Sequence, residues 1–206
     1  MKTTLYLVRH AQSLPKPEHG FSGWKLSPIG MEQAKRLADL LGPLRIEQVF
    51  SSPFVRTLDT ARPFAKKHAL EIIVVDDLRE RLIMDDDCHP SDEVWHKSWE
   101  DFAFAVPGCE SSFDAQSRTC RAIGGIAQQT TGTCAIFTHG NVIGLFLNTL
   151  TDSFGRTDAE ALTNPDVIKI DCRGGHFTWD RHFRLAGLDQ IATAHNQTPK
   201  EQLQNS

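Results

Sequence analysis

Four basic side chains and one carboxyl group stand at positions from which they could bind and transfer a phosphoryl group. Arg9 and His10 follow the apolar run "LYLV", and His139 follows the run "CAIFT". Arg56 lies in "SSPFVRTLDTA", and Glu80 lies in "DDLRER", which follows the run "IIVV". If the apolar runs are parallel strands, their carboxyl ends meet at one edge of a sheet, and these five side chains can share a pocket.

Each of these residue types has a defined use in phosphoryl transfer. Guanidinium groups bind phosphoryl oxygens through paired, charge-assisted hydrogen bonds. A neutral imidazole, with a usual pKa of about 6.5, has a lone pair that can attack phosphorus, and water can hydrolyse the resulting phosphohistidine. Two arginines and a protonated second histidine can supply the charge that metal ions supply elsewhere, and a carboxylic acid can protonate the leaving oxygen. The set predicts phosphoryl transfer through a histidine, with no metal and no other cofactor.

The elements that would position these groups alternate along the chain. Apolar runs predict short buried strands at 3–8, 47–50, 71–75 and 133–137. Helical periodicity is found at 27–42, in "SSPFVRTLDTARPFAKKH", at 112–129 and at 141–150. Alternating strands and helices predict an α/β fold, a three-layer α/β/α sandwich around a mostly parallel sheet.

The ends of the first two helices carry recognisable signals. Ser27 is the expected N-cap of the first helix, and Gly42 is its expected stop. Ser52 is the expected cap of the second helix, with Pro53 at the first helical position. Pro63 predicts a kink or an interruption in that helix.

The last part of the chain differs from the alternating pattern. The segment "DVIKIDCRGGHFTWDRHFRL" predicts two strands joined by a Gly-Gly turn, and hence one late antiparallel element. We expect residues 1–190 to form a single domain, with 82–110 as a cap insertion. Residues 191–206 are polar and lack periodicity, which predicts a C-terminal tail.

Composition excludes several classes of protein. The 206 residues carry a net charge of −4, which gives no general attraction for nucleic acid or for an anionic membrane. The N-terminus meets a charged pair too early for a signal peptide, and no apolar run approaches membrane-spanning length, so we expect a cytoplasmic protein. Five cysteines without CxxC spacing predict neither a disulfide framework nor a zinc knuckle.

The ordered motifs resemble the histidine phosphatase superfamily, also called phosphoglycerate mutase-like. They are, in order, "LVRHAQS", "LSPIGMEQA", "SSPFVRTLDTA", "LRER", "PGCES" and "FTHGNVIG". The resemblance implies a mixed sheet with helices on both faces. It also implies that His10 is the nucleophile, that Arg9 and Arg56 bind phosphate, that His139 is the second active-site histidine, and that Glu80 is the proton donor.

The chain departs from the common pattern of that superfamily at three places. Ala11 replaces the usual glycine after the histidine, as it does in some members, including protein-phosphohistidine phosphatases. Pro15 and Lys16 stand where many members have Trp-Asn, so Lys16 is a candidate to replace the asparagine contact to phosphate. Cys109 replaces the second glycine of PGGES, which would put a thiol near the mouth of the pocket.

The predicted cap, residues 82–110, is strongly acidic. Against the single basic residue Lys97 it carries eight acids: Asp85, Asp86, Asp87, Asp92, Glu93, Glu100, Asp101 and Glu110. Such a cap would repel substrates with several negative charges, which favours a phosphatase over a mutase. The acidic run 85–87 with His89 matches no standard calcium or zinc spacing, so no metal site is predicted.

Three further residues are candidates at the substrate or in the cap. Trp95 and Trp99, four residues apart on a predicted helix, could cover an apolar or aromatic leaving group, although packing contacts are the more ordinary role for them. Arg81 could contact substrate or pair with the adjacent Glu80.

The sequence thus favours a metal-independent phosphatase that acts on small-molecule phosphomonoesters through a phosphohistidine at His10. A phosphoglycerate mutase-type phosphotransferase is the alternative with the same chemistry. A catalytically silent protein that binds a phosphate ligand is the alternative of another class. No nucleic-acid or membrane partner is predicted, and the oligomeric state is left open.

Overall fold

The computed structural model describes residues 2–83, 91–151 and 153–193. The strands are β1 (Lys2–Arg9), β2 (Ser13–Leu14), β3 (Lys25–Leu26), β4 (Gln48–Ser51), β5 (Ile72–Val74), β6 (Gly132–Thr138), β7 (Asp166–Arg173) and β8 (His176–Trp179). The helices are α1 (Gly20–Gly23), α2 (Pro28–Leu41), α3 (Val55–His68), α4 (Asp92–Glu100), α5 (Ser112–Gln129), α6 (Gly140–Leu150) and α7 (Arg156–Ala161).

Six of the strands form one mixed sheet in the order β5-β4-β6-β1-β7-β8. The first four run parallel to one another, and β7 runs antiparallel to both of its neighbours. The prediction of a mostly parallel sheet with a late antiparallel element is confirmed. The Gly-Gly turn is also as predicted, since Gly174 and Gly175 join β7 to β8 with φ of +58° and +84°, values that favour glycine.

Helices cover both faces of this sheet, which confirms the three-layer sandwich. Successive side chains of β1 point to opposite faces, as a strand requires. Leu5 and Leu7 pack into a core that includes side chains of α5 and α6. Tyr6 and Val8 pack into a second core that includes side chains of α2 and α3. The central strand that carries Arg9 is therefore buried between two apolar layers.

The predicted ends of α2 are confirmed, whereas those of α3 are not. Ser27 Oγ accepts a hydrogen bond of 2.9 Å from the Gly30 N–H, and Gly42 follows the last residue of α2. The prediction that Ser52 caps α3 is wrong, because the helix begins at Val55 and its N-cap, Phe54, makes no side-chain cap hydrogen bond. The predicted interruption at Pro63 is also wrong, since α3 continues through it.

Strand β5 corrects another expectation. The run 71–75 predicts a buried strand, but β5 lies at the edge of the sheet, where Ile73 and Val74 are 44% and 52% exposed. An apolar run alone does not distinguish an edge strand from a central one.

Some predicted features lie outside the described residues. They are the acidic run 85–87 with His89, and residues 194–206 of the predicted tail 191–206. At the start of that predicted tail, Ile191 is buried in the core. Among the helices that the structure describes, none combines the length and the apolar character needed to cross a membrane.

A glycine in α2 fixes the chain just after the predicted nucleophile. A β-carbon on Gly30 would lie 1.9 Å from the carbonyl oxygen of Gln12, so the helix and the segment after β1 touch through their backbones. Because the obstacle is main chain and not a flexible side chain, the contact tolerates no larger residue at position 30.

We expect Gly30→Ala to lower the free energy of unfolding by about 1–3 kcal/mol, the usual cost of overpacking, despite the better helix propensity of alanine. Gly124→Ala in α5 is the matched control, because a β-carbon there meets nothing within 4 Å. That variant should gain up to about 1 kcal/mol. Urea unfolding of both variants measures the difference, and equal stability of the two would contradict the close contact.

Candidate active site

Two histidines meet at the carboxyl ends of the adjacent parallel strands β1 and β6. Arg9 is paired with Thr138 in the sheet register, so His10 and His139 each occupy the next position. The His10 N–H still donates to the Thr138 carbonyl, at 3.1 Å. The two buried imidazole rings lie edge to face with their centroids 5.3 Å apart. The prediction that two strands bring a histidine to the same sheet edge is confirmed.

The hydrogen bonds of His10 define which of its nitrogens carries a lone pair. Nδ1 lies 2.7 Å from the carbonyl oxygen of Ala11. Because a carbonyl oxygen only accepts, Nδ1 carries the proton in this pair. Nε2 of the neutral ring is therefore the acceptor, and it receives a hydrogen bond of 3.2 Å from Arg56 Nε. Nε2 is thus the atom of His10 that could attack an electrophile.

Arg9 lies beside these rings with its guanidinium buried. It donates through Nη1 to the carbonyl of Leu162, at 2.5 Å. Burial lowers the pKa of Arg9 to about 10, a shift opposed by the negative charges of Glu80 and Asp166. At neutral pH the group therefore remains charged. A β-carbon on Gly140, the residue after His139, would lie 2.8 Å from this guanidinium, so the first position of α6 needs a glycine.

Arg56, in the first turn of α3, is held within a group of aromatic rings. Its guanidinium carbon lies 4.8, 5.3 and 4.9 Å from the ring centroids of Phe21, Trp24 and Phe54, respectively. Its Nη1 donates to the Phe21 carbonyl, at 2.7 Å. Burial is the main cause that lowers the pKa of Arg56 to about 10, so this group is also charged at neutral pH. Cation–π contacts offset part of the cost of burying it.

His139 is completely buried, and Ser52 lies against it. The Ser52 Oγ is 2.8 Å from His139 Nε2, and it accepts a hydrogen bond of 3.2 Å from the Phe54 N–H. Burial lowers the pKa of His139 well below its usual 6.5, and the positive charge of Arg56 lowers it further. This direction favours a neutral ring in the protein by itself, and the expectation of a protonated second histidine beside a bound phosphoryl group stays a prediction. Only a neighbouring negative charge, such as a phosphate dianion, would favour its charged form.

Glu80 lies at the amino end of α6, the helix that has His139 as its N-cap. Its Oε2 accepts from the Asn141 N–H at 3.2 Å, and its Oε1 accepts from the Val142 N–H at 3.3 Å. Free N–H groups and the helix dipole favour a carboxylate at this position. The structure thereby brings Glu80 to the same helix end as His139.

An ion pair that the sequence analysis missed holds the segment before Glu80. Arg118 of α5 donates through Nε and Nη2 to the two carboxylate oxygens of Glu110, at 2.6 and 2.7 Å. Its Nη1 donates to the carbonyls of Asp77 and Arg79, each at 2.8 Å. The signal available in the sequence was an arginine on the apolar face of α5, three residues after the buried Ala115 and therefore on the same side of the helix.

Asn141 was also missed, although it stands inside the quoted motif "FTHGNVIG". Its side chain is 8% exposed, and neither Nδ2 nor Oδ1 has a hydrogen-bond partner among the described residues. Because buried carboxamides are normally bonded, a donor and an acceptor at this place beside Glu80 are suited to a polar ligand. The signal in the sequence was a polar residue at the second position of a helix that starts from a candidate catalytic histidine.

A family model described as histidine phosphatase superfamily (branch 1) matches residues 5–184. The chain belongs to this superfamily. The resemblance given by the ordered motifs is therefore confirmed.

Relatives of the chain include both phosphatases and mutases. A segment is 39% identical over 79 residues to phosphoserine phosphatase 1 of Hydrogenobacter thermophilus, covering 37% of each chain. Another is 37% identical over 59 residues to the 2,3-bisphosphoglycerate-dependent phosphoglycerate mutase of Pseudoalteromonas atlantica, covering 27% of this chain and 26% of that one. The matched segments thus span well under half of these relatives.

A solved structure shows the same fold over most of both chains. It is the mycobacterial glucosyl-3-phosphoglycerate phosphatase, which superposes with a TM-score of 0.71 at 20% identity and covers 87% of this chain and 98% of that chain.

The predicted substrate and cap residues have other contacts in the structure of this superfamily member. Lys16 is partly exposed, with its Nζ 3.8 Å from Glu18 Oε1. Arg81 is buried and donates to the Glu110 carbonyl at 2.8 Å and to Ser112 Oγ at 2.5 Å, and burial lowers its pKa to about 10. Arg81 therefore holds the cap together and does not pair with Glu80 through its guanidinium.

The two tryptophans and the predicted cysteine have packing contacts. Trp95 Nε1 donates to Glu160 Oε1 at 2.8 Å, and Trp99 packs against the core between α5 and α6. Cys109 is half-buried, and its N–H donates to the Val106 carbonyl at 2.9 Å. The aromatic side chains that do contact the candidate site are those around Arg56, and the sequence analysis did not single them out.

The buried neutral His139 makes stability depend on pH. As the pH falls below about 6.5, the unfolded chain gains a proton at this residue that the folded protein does not bind. We expect the free energy of unfolding to fall by up to about 1.4 kcal/mol per pH unit from this group, and to be restored above about pH 7.

Urea unfolding between about pH 5 and about pH 7.5 measures this slope. The variant His139→Gln keeps a hydrogen-bonding group near Ser52. Its free energy of unfolding should change less steeply with pH than that of the wild-type protein, because the two proteins share all other titrating groups. Identical slopes for the two proteins would contradict a depressed pKa at His139.

Proposed function

We propose that this chain is a phosphatase that hydrolyses small-molecule phosphomonoesters through a phosphohistidine on His10. The observation that carries the proposal is the lone pair of His10 Nε2, directed toward Arg56 Nε at 3.2 Å and flanked by His139. A nucleophilic nitrogen surrounded by buried cationic and neutral donors is suited to a dianionic phosphoryl group.

In the first half of the proposed reaction, Arg9, Arg56 and His139 hold the phosphoryl oxygens. Nε2 of His10 attacks phosphorus, and the bond from phosphorus to the ester oxygen breaks. This half-reaction uses the protonated form of Glu80, which gives its proton to that oxygen and becomes a carboxylate, so the alcohol leaves neutral. The bound dianion favours protonation of His139, which then contributes a third positive charge to the transition state.

In the second half, water attacks the phosphohistidine. Glu80, now a carboxylate, takes a proton from the water as its oxygen bonds to phosphorus, and the phosphorus–nitrogen bond breaks. His10 Nε2 recovers its lone pair, and inorganic phosphate is released. We expect no metal ion or organic cofactor in this cycle, because the two guanidinium groups supply charge at the phosphoryl oxygens.

A phosphoglycerate mutase-type transfer is the second candidate, and the similarity to a bisphosphoglycerate-dependent mutase favours it. The chemistry at His10 would be the same, but the phosphoryl group would return to a bound acceptor and not to water. The two functions therefore differ in whether inorganic phosphate accumulates.

We expect purified protein to release phosphate from p-nitrophenyl phosphate in excess EDTA, and His10→Ala to reduce the rate by at least about 10⁴-fold. No neighbouring group can replace the lost nucleophile. His182→Ala is the control, since His182 is exposed and lies well after β1 and β6 in the chain, the strands that precede His10 and His139. The rate of p-nitrophenol release from about pH 5 to about pH 8 is the measurement.

Comparable activity in His10→Ala would overturn the phosphohistidine mechanism. The mutase would be favoured if the protein transferred a phosphoryl group between phosphoglycerates only with a bisphosphorylated primer, and released no more than a trace of inorganic phosphate.

The proton-donor role of Glu80 predicts a dependence on the leaving group. Glu80→Gln should lower kcat for an alkyl phosphate by about 10²-fold or more, because an alkoxide leaves poorly without a proton. The loss for p-nitrophenyl phosphate should be much smaller, since p-nitrophenolate leaves without help. Glu32→Gln, on the exposed face of α2, is the matched control. Equal losses for both esters would mean that Glu80 only positions α6.

A further inference from the structure

Two phenylalanine rings form the border between the buried candidate site and solvent. The Phe54 ring lies 5.1 Å from the His139 ring, and the Phe21 ring lies 5.5 Å from the Phe54 ring, both measured between centroids. Both phenylalanines are half-buried, whereas His10, Arg56 and His139 are buried. The exposed part of this ring pair therefore adjoins the groups that would hold a phosphoryl group.

The ring pair offers more apolar surface than the packing of Arg56 needs. Trp24 also lies against that guanidinium and is 5% exposed, so it acts only as a packing partner. Phe21 and Phe54 contact the guanidinium too, but these two residues are only half-buried. An ester whose phosphoryl group reaches His10 would place its organic part against this surface.

Charges in the neighbouring described segments do not favour a second anionic group on the substrate. Around the described part of the predicted cap, four cations are engaged with the protein itself: Arg79 with Asp76, Arg81 with Ser112, Lys97 with the ring of Phe104, and Arg118 with Glu110. Nearer to Phe21 in the chain, Lys16 is partly exposed and Lys25 is exposed. Helix α4 and the residue after it add four exposed acids, namely Asp92, Glu93, Glu100 and Asp101. These acids would repel a substrate whose second phosphate or carboxylate faced the described part of the cap.

We propose that Phe21 and Phe54 form a leaving-group wall, and that the site prefers phosphomonoesters of alcohols with an aromatic or other apolar body. This inference rests on the phosphatase function proposed above and names its substrate class. The wall takes the role that the sequence analysis gave to Trp95 and Trp99. Ring edges and faces in this arrangement can stack on an aromatic group of the ester, and water released from both surfaces favours the contact.

A pair of esters that differ only in apolar area tests the wall. We would compare 2-phenylethyl phosphate with ethyl phosphate, because both leave as primary alkanols of similar acidity. The expected kcat/KM for the phenylethyl ester is about tenfold higher or more, the discrimination typical of an apolar contact. Glycerol phosphate, which is polar and of similar leaving-group type, should resemble ethyl phosphate.

Variants connect the preference to the two rings. Phe54→Ala and Phe21→Ala should each reduce the ratio of the two kcat/KM values toward one, because any loss from weaker support of Arg56 lowers both values alike and cancels in the ratio. Phe54→Leu, which keeps an apolar side chain, should retain part of the ratio. Phe183→Ala is the matched control, since Phe183 is also half-buried and stacks on Tyr6 at 5.4 Å, but it has no contact with Arg56 or His139.

The outcomes separate this inference from the function on which it rests. Equal kcat/KM for the two esters in the wild-type protein would leave the phosphatase intact and overturn the wall. An unchanged ratio in both alanine variants, or an equal loss for both esters, would overturn it as well, because the rings would then only support Arg56. If the protein turned over neither these esters nor p-nitrophenyl phosphate, both the proposed phosphatase function and the leaving-group wall would be overturned.

Discussion

The burial of two guanidinium groups beside two imidazoles is the constraint on which the rest of this structure depends. Charges of the same sign repel one another most strongly where water is excluded, and burial is the main cause that lowers the pKa of both Arg9 and Arg56 to about 10. The protein offsets this cost with the carbonyls of Leu162 and Phe21, with aromatic faces around Arg56, and with the negative charge of Glu80. His139 completes the arrangement by staying neutral. The site is therefore prepared for an anion, whose charge would relieve the repulsion that the fold sustains.

The remaining elements act largely by fixing these groups in place. The sheet holds both histidines on adjacent strands, and the amino end of α6 binds the carboxylate of Glu80. The segment before Glu80 is in turn held by Arg118, whose partner Glu110 belongs to the predicted cap. A continuous series of hydrogen bonds thus joins the cap, α5, the Glu80 segment and the helix of His139. Membership of the histidine phosphatase superfamily is consistent with this arrangement.

Much of this could be predicted from the sequence, because the information was local. Apolar runs ending in Arg9, His10 and His139 identified the strand ends, and the Ser27 cap, the Gly-Gly turn and the sheet type followed from short patterns. What could not be predicted depended on contacts between distant segments. Ser52 has the residue type of a helix cap, but its hydroxyl lies against His139, 87 positions later in the chain. Arg81 looked available to substrate, but Ser112 and Glu110 bind it within the cap. The run at 71–75 gave no indication that β5 would be an edge strand. Burial also favours a neutral His139 in the protein by itself, which no pattern of residue types encodes.

The close approach of Arg9 to Gly140 also restricts how this sequence can change over time. Most positions in the first turn of a helix accept many residues, since their side chains point outward. Position 140 does not, because the space that a methyl group would fill already holds a guanidinium. A mutation there would move a charged group that the strand β1 supplies, although the two residues are 131 positions apart in the chain. A larger residue at the beginning of α6 would therefore require the guanidinium at the end of β1 to take another position.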